Sequence, residues 1–90
     1  MPSIELKVMA EVGLHARPAT QFVSLAAQFP CDIRVRNLSE DNGEANAKSI
    51  LGVLSLGVLK GHRISIQAEG DQEDEALNSL KALIEDNFGE

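Results

Sequence analysis

Gly13-Leu14-His15-Ala16-Arg17-Pro18-Ala19-Thr20 is where a strand-like alternating opening gives way to a helix, and the rest of the chain is read outward from it. Pro18 fits a first helical turn, where its missing N–H is not required. Beyond it, residues 19–28 have good helix-forming composition, with Ala19, Val23, Ala26 and Ala27 at helical spacing. That reading puts His15 at or just before the N-cap and Arg17 inside the first turn. The opening N–H groups of a helix lack intrahelical partners, and the helix dipole adds partial positive charge there. Backbone donors and a guanidinium thus converge beside an imidazole, an arrangement suited to an anion. A neutral imidazole there keeps a lone pair able to act as a nucleophile. A phosphoryl group received on that ring would meet the same donors. Spacing alone leaves a second reading open, in which His15 is a polar loop residue and Arg17 a solvated charge.

Upstream, Ile4, Leu6 and Val8 alternate with Glu5, Lys7 and Met9, the pattern of a strand with one buried face. Downstream, Pro30 disfavours helical geometry at Phe29, so the first helix is expected to stop near Gln28. Ile33 and Val35 alternate with Asp32, Arg34 and Arg36 as a second strand. Residues 37–43 are polar and end in the turn signal Asp41-Asn42-Gly43, followed by a short third strand from Glu44 to Ala47. The apolar run from Ile50 to Val58 reads as a helix with Ser49 as its N-cap and Gly57 near its end. Ile64, Ile66 and Ala68 alternate as a fourth strand. Asp71 or Asp74 is expected to cap a last helix, whose Ala76, Leu77, Leu80, Leu83 and Ile84 form an apolar stripe. Four one-faced strands and three helices imply an α+β two-layer design with the helices on a single face. Periodicity does not supply the strand order.

Composition narrows the function classes. The 90 residues are 43% hydrophobic and 24% charged, ordinary for a soluble globular chain and enough for one domain. With no Trp or Tyr and only three Phe, the core is expected to be aliphatic. The net charge of −6 is lopsided: seven basic residues face six acidic ones up to Arg63, and one faces eight beyond it. No basic stripe or set of stacking aromatics points to nucleic acid. Cys31 is the only cysteine, which excludes an internal disulfide and suits a reducing compartment. Charges break the apolar runs near Met1, so no secretory signal or membrane span is read there, and a cytoplasmic location is expected. His62 reads as a solvated turn residue, and the acidic run from Asp71 to Glu75 as a helix start, not a cation loop. No metal cluster, cofactor loop or Ser-His-Asp set is evident.

Residues 13–20 resemble the active-site segment of the HPr family, the histidine-containing phosphocarriers of the bacterial phosphoenolpyruvate-dependent phosphotransferase system. A second stretch, Ala45-Asn46-Ala47-Lys48-Ser49-Ile50-Leu51-Gly52-Val53-Leu54-Ser55-Leu56-Gly57-Val58, resembles that family's regulatory-serine region. The resemblance covers nearly the whole chain and implies one HPr domain over residues 1–90. It implies an open-faced β-sandwich, with an antiparallel sheet of order 1-4-2-3 and three helices on one face. It implies that Nδ1 of His15 accepts a phosphoryl group from Enzyme I and passes it to an Enzyme IIA. Arg17 and the backbone N–H groups of Ala16 and Arg17 would hold the phosphoryl oxygens, with Pro18 fixing the turn. Ser49 matches the serine that HPr kinase/phosphorylase modifies, which brings in a transcriptional regulator as a further partner. Ile50, Leu51 and Leu54 are the expected apolar contact for partners, although a chain this poor in aromatics could also need the whole middle helix as core. A monomeric carrier without cofactor or metal is expected, one that depends on partner enzymes for its chemistry. Two alternatives stay open. The segments 36–43 and 87–90 look like the nitrogen-related paralogue, while Lys48 to Val53 looks more like the sugar-system protein. A pure regulatory binding module acting through the Ser49 helix is the other.

Overall fold

The computed structural model describes residues 2–41 and 43–89. In chain order they form β1 (Ser3–Lys7), α1 (Ala16–Ala26), β2 (Asp32–Asn37), β3 (Glu44–Asn46), α2 (Ile50–Ser55), β4 (Arg63–Glu69) and α3 (Glu73–Glu85), then a short 3-10 turn at Asn87–Gly89. The strands make one antiparallel sheet in the order β1-β4-β2-β3, as the resemblance implies. β4 lies between β1 and β2 and pairs antiparallel with both, so β1 and β2 run parallel on either side of it.

Alternation in the sequence becomes register in the sheet. Ile4 stands opposite Ile66, Ile66 opposite Val35, and Val35 opposite Ala45, one apolar row across all four strands. Leu6 and Ile64 form the neighbouring row, which continues to Asn37. The intervening residues Glu5, Lys7, Arg34, Arg36, Glu44 and Arg63 are exposed, so the helices cover one face and leave the other to water. Phe22 of α1, Val53 of α2 and Leu80 of α3 are fully buried against the inner face. The core is mainly aliphatic, with the rings of Phe22 and Phe88 completing it, while Phe29 packs at its margin.

Two boundaries differ from the sequence reading. α2 ends at Ser55, not near Val58, because Leu56 and Val58 turn into the core and the Val58 carbonyl accepts the Leu14 amide at 3.0 Å. Gln72, with φ +64°, stands at the N-cap of α3, so neither Asp71 nor Asp74 caps it. Glu73 reaches back instead, its carboxylate accepting the Gly70 amide at 3.0 Å, and Glu73, Asp74 and Glu75 fill the first turn. The expected Asp41-Asn42-Gly43 turn falls partly on Asn42, outside the described residues. Among the described residues, no helix is long and apolar enough to cross a membrane, and no cluster of His, Cys, Asp and Glu could hold a metal ion.

Candidate functional site

His15 owes its position to two residues that carry no chemistry. Leu14 is fully buried and its amide bonds to Val58, which pins the chain immediately before the imidazole. Gly13 has φ +66°, and a Cβ there would collide with the Val58 carbonyl oxygen and come within 2.7 Å of the Leu59 Cα. Glycine lets the loop after β1 lie directly on the loop after α2. Those two loops are stitched at further points: the Gly61 amide donates to Val8 at 2.6 Å, and Val8 donates to His62 at 2.9 Å. Lys60 Nζ lies 2.8 Å from the Glu11 carboxylate, and this hydrogen bond holds the exposed Glu11 below the usual carboxylate range.

On this platform His15 occupies the N-cap of α1 in an extended conformation, φ −132° and ψ 164°, and its ring makes no capping hydrogen bond. The imidazole is half-buried, and Ala16 and Arg17 are exposed. Ala16 has φ +53°, a left-handed conformation that costs a non-glycine residue about 1–2 kcal/mol. Pro18 and Ala19 are buried and anchor the first turn. Arg17 points along the helix to Gln21, one turn on. With the Gln21 amide oriented to satisfy both neighbours, Arg17 Nε donates to its oxygen at 3.1 Å and its nitrogen donates to the Phe88 carbonyl at 3.1 Å. Arg17, Pro18, Gln21, Phe88 and Gly89 line a shallow pocket of about 80 Å³. Gln21 and Phe88 were not among the residues singled out from the sequence. The signal for Gln21 was its i+4 spacing from Arg17; nothing local placed Phe88 there.

Ser49 is the N-cap of α2, its hydroxyl accepting the Gly52 amide at 3.1 Å. α2 is one and a half turns long and leaves Leu51 77% and Ile50 39% exposed. Leu54 is half-buried and packs against the core, so the open apolar surface is smaller than three full side chains. Val53, Leu56 and Val58 are core, which divides the apolar run between interior and surface. Lys48 points away from Ser49, its ammonium donating to the Phe29 carbonyl at 2.7 Å.

His62 differs from its reading as a solvated residue. It is half-buried, and its Nδ1 accepts the Leu59 amide at 3.1 Å and lies 3.2 Å from Asn37 Nδ2. Asn37 is the buried polar residue of the core among the described residues. Its amide nitrogen donates to Leu56 at 3.0 Å, and its oxygen accepts from Ser39 and Glu40 at 3.0 and 3.3 Å. Strand β2, the end of α2 and the loop beneath Gly13 are joined through these two side chains.

The chain is similar to known proteins over nearly its whole length. Residues 2–86 match the family PTS-HPr, described as the PTS HPr component phosphorylation site. The chain is 42% identical over 90 residues to phosphocarrier protein HPr of Pseudomonas aeruginosa, spanning all of this chain and 98% of that one. The crystal structure of HPr-C-His from Thermoanaerobacter tengcongensis superposes with a TM-score of 0.95 at 46% identity, covering 100% and 98% of the two chains. The crystal structure of an HPr dimer from that organism matches over all of both chains with a TM-score of 0.78.

Proposed function

Given that the chain belongs to the HPr family of the phosphotransferase system, we propose that it carries a phosphoryl group on His15 between Enzyme I and an Enzyme IIA in the cytoplasm. One observation supports this reading: His15 stands at the N-cap of α1, directly before Ala16 and Arg17, and its ring is not spent on capping. The Nδ1 lone pair attacks phosphorus as the donor's bond to phosphorus breaks, so the ring gains one N–P bond and the donor leaves with the electron pair. Ala16 and Arg17 amides and the Arg17 guanidinium hold the equatorial oxygens, where charge is spread during transfer. Returning the group to an acceptor is the same step reversed. The carrier supplies the acceptor atom and its electrostatics, and partner active sites supply the rest.

Ile50 and Leu51, with the edge of Leu54, form the apolar patch on which those partners dock. Ser49 is placed to regulate docking. A phosphoryl group there adds about −1.5 to −2 charges at the start of α2, which the helix tolerates and an apposed partner does not. A monomeric carrier is part of this reading. The dimeric relative makes oligomeric state in solution a direct measurement.

The test is incubation with Enzyme I and labelled phosphoenolpyruvate. Acid-labile label enters the wild-type chain and is absent from His15→Ala, whose circular dichroism matches wild type. Arg17→Ala still docks but transfers about tenfold to a hundredfold more slowly. Label entering His15→Ala refutes the assignment. A chain that never charges, yet binds a regulator once Ser49 is phosphorylated, would point to the binding-module alternative.

A further inference from the structure

The last described turn, Asn87–Gly89, lies beyond the stretch matched to the family, which ends at residue 86, yet it forms part of the pocket beside Arg17. Its backbone is held in an uncommon form. Asn87 and Phe88 both have positive φ, +55° and +57°, which side chains other than glycine rarely adopt. Phe88 is nevertheless only 4% exposed, so its ring holds the turn against the molecule. The Gly89 amide closes the turn by donating to Asp86 at 3.1 Å. What the turn presents to α1 is the Phe88 carbonyl, which can only accept. It therefore fixes which end of the Gln21 amide faces it, and the amide oxygen is left aimed at Arg17 Nε. Arg17 and Gln21 stand at i and i+4, on one stripe of α1, so the bond requires no distortion of the helix.

We propose that Gln21, oriented by the Phe88 carbonyl, is a positioning residue for Arg17, holding the guanidinium by its Nε, narrowing its rotamers and leaving its terminal nitrogens for the phosphoryl group carried on His15. An exposed arginine has many rotamers, and each one that points elsewhere must be given up before transfer. Tying Nε to a fixed acceptor removes part of that cost before the donor arrives and leaves both terminal nitrogens to bind oxygen. The inference rests on the phosphocarrier reading, in which Arg17 steadies the transferred group.

The test measures maximal transfer rate and half-saturating carrier concentration, with Enzyme I and phosphoenolpyruvate, for wild type, Gln21→Leu, Phe88→Ala, Arg17→Ala and the double variant Arg17→Ala/Gln21→Leu. Gln21→Leu is expected to lower the maximal rate about fivefold with half-saturation unchanged, because the docking patch on α2 is untouched. Phe88→Ala lowers it in the same direction. Adding Gln21→Leu to Arg17→Ala costs nothing further, whereas a merely structural role multiplies the two losses. Nuclear magnetic resonance supplies a readout independent of transfer: the Arg17 Nε–H exchanges slowly with water in wild type and fast in Gln21→Leu. A slow Arg17→Ala with a full-rate Gln21→Leu overturns this inference alone, as do multiplying losses or an effect on half-saturation only. A full-rate Arg17→Ala overturns both the inference and the role given to Arg17.

Discussion

Gly13 and Asn37 show how much of the site depends on single residues away from its chemistry. At Gly13 a side chain meets two obstacles at once, a left-handed φ and the Val58 carbonyl. Gly13→Ala is therefore expected to destabilise the fold by about 2 kcal/mol or more, read as a shift in the urea midpoint with unchanged slope. Asn37 was legible only as one more polar loop residue, because nothing in its neighbours announces burial. In the structure it ends β2 on the inner face, opposite Ile64, and each end of its amide is bonded. Asn37→Ala removes the acceptor of the Ser39 and Glu40 amides and the donor to Leu56, at a cost of about 2–3 kcal/mol in urea unfolding. His15 and Arg17 stood out at once for the opposite reason. Their meaning is local, set by a proline and a helix start within three residues of each other.

At the scale of the element, α2 joins two roles on six residues. Ser49 caps it through the Gly52 amide, and Gly52 keeps the helix close to β3, where a Cβ would stand 3.3 Å from that of Ala45. The apolar run was plain in the sequence, but its division was not. Composition could not say which side chains face in, because nearly every position is hydrophobic and periodicity needs polar residues for contrast. Docking against the sheet made the choice, burying Val53 and Leu56 and leaving Leu51 outside. Ser49→Ala is expected to lose about 1 kcal/mol of stability by thermal or urea unfolding. Ser49→Asp keeps a capping oxygen and stays close to wild type in stability, yet it receives phosphate from Enzyme I more slowly, since the added charge faces the partner. Equal stability of all three forms would remove the cap from the account of α2, and equal transfer rates would remove the serine from the account of docking.

For the molecule as a whole, one hydrophobic cluster holds together the loops that present the site. Phe22 is among its largest fully buried side chains, on the same helix whose first turn follows His15. Phe22→Ala is expected to cost about 3–5 kcal/mol and to loosen the site together with the core, seen as one cooperative transition at a lower urea midpoint. A loss below about 1 kcal/mol would mean that α1 is held mainly elsewhere. Strand and helix identities, the one-faced character of the sheet, the cap at Ser49 and the pairing of His15 with a helix start were all determined by the sequence. Each depends on neighbours a few residues apart, which periodicity and turn chemistry report directly. Strand order was legible only through family resemblance. The place of Phe88 beside Arg17, the bonds of Asn37 and His62, and the exposed half of α2 were decided by tertiary structure alone. Their long-range bonds span 19 residues for Asn37–Leu56, 25 for Asn37–His62 and 67 for Gln21–Phe88, and they exist only once the helices have settled on the sheet and brought distant groups within bonding reach.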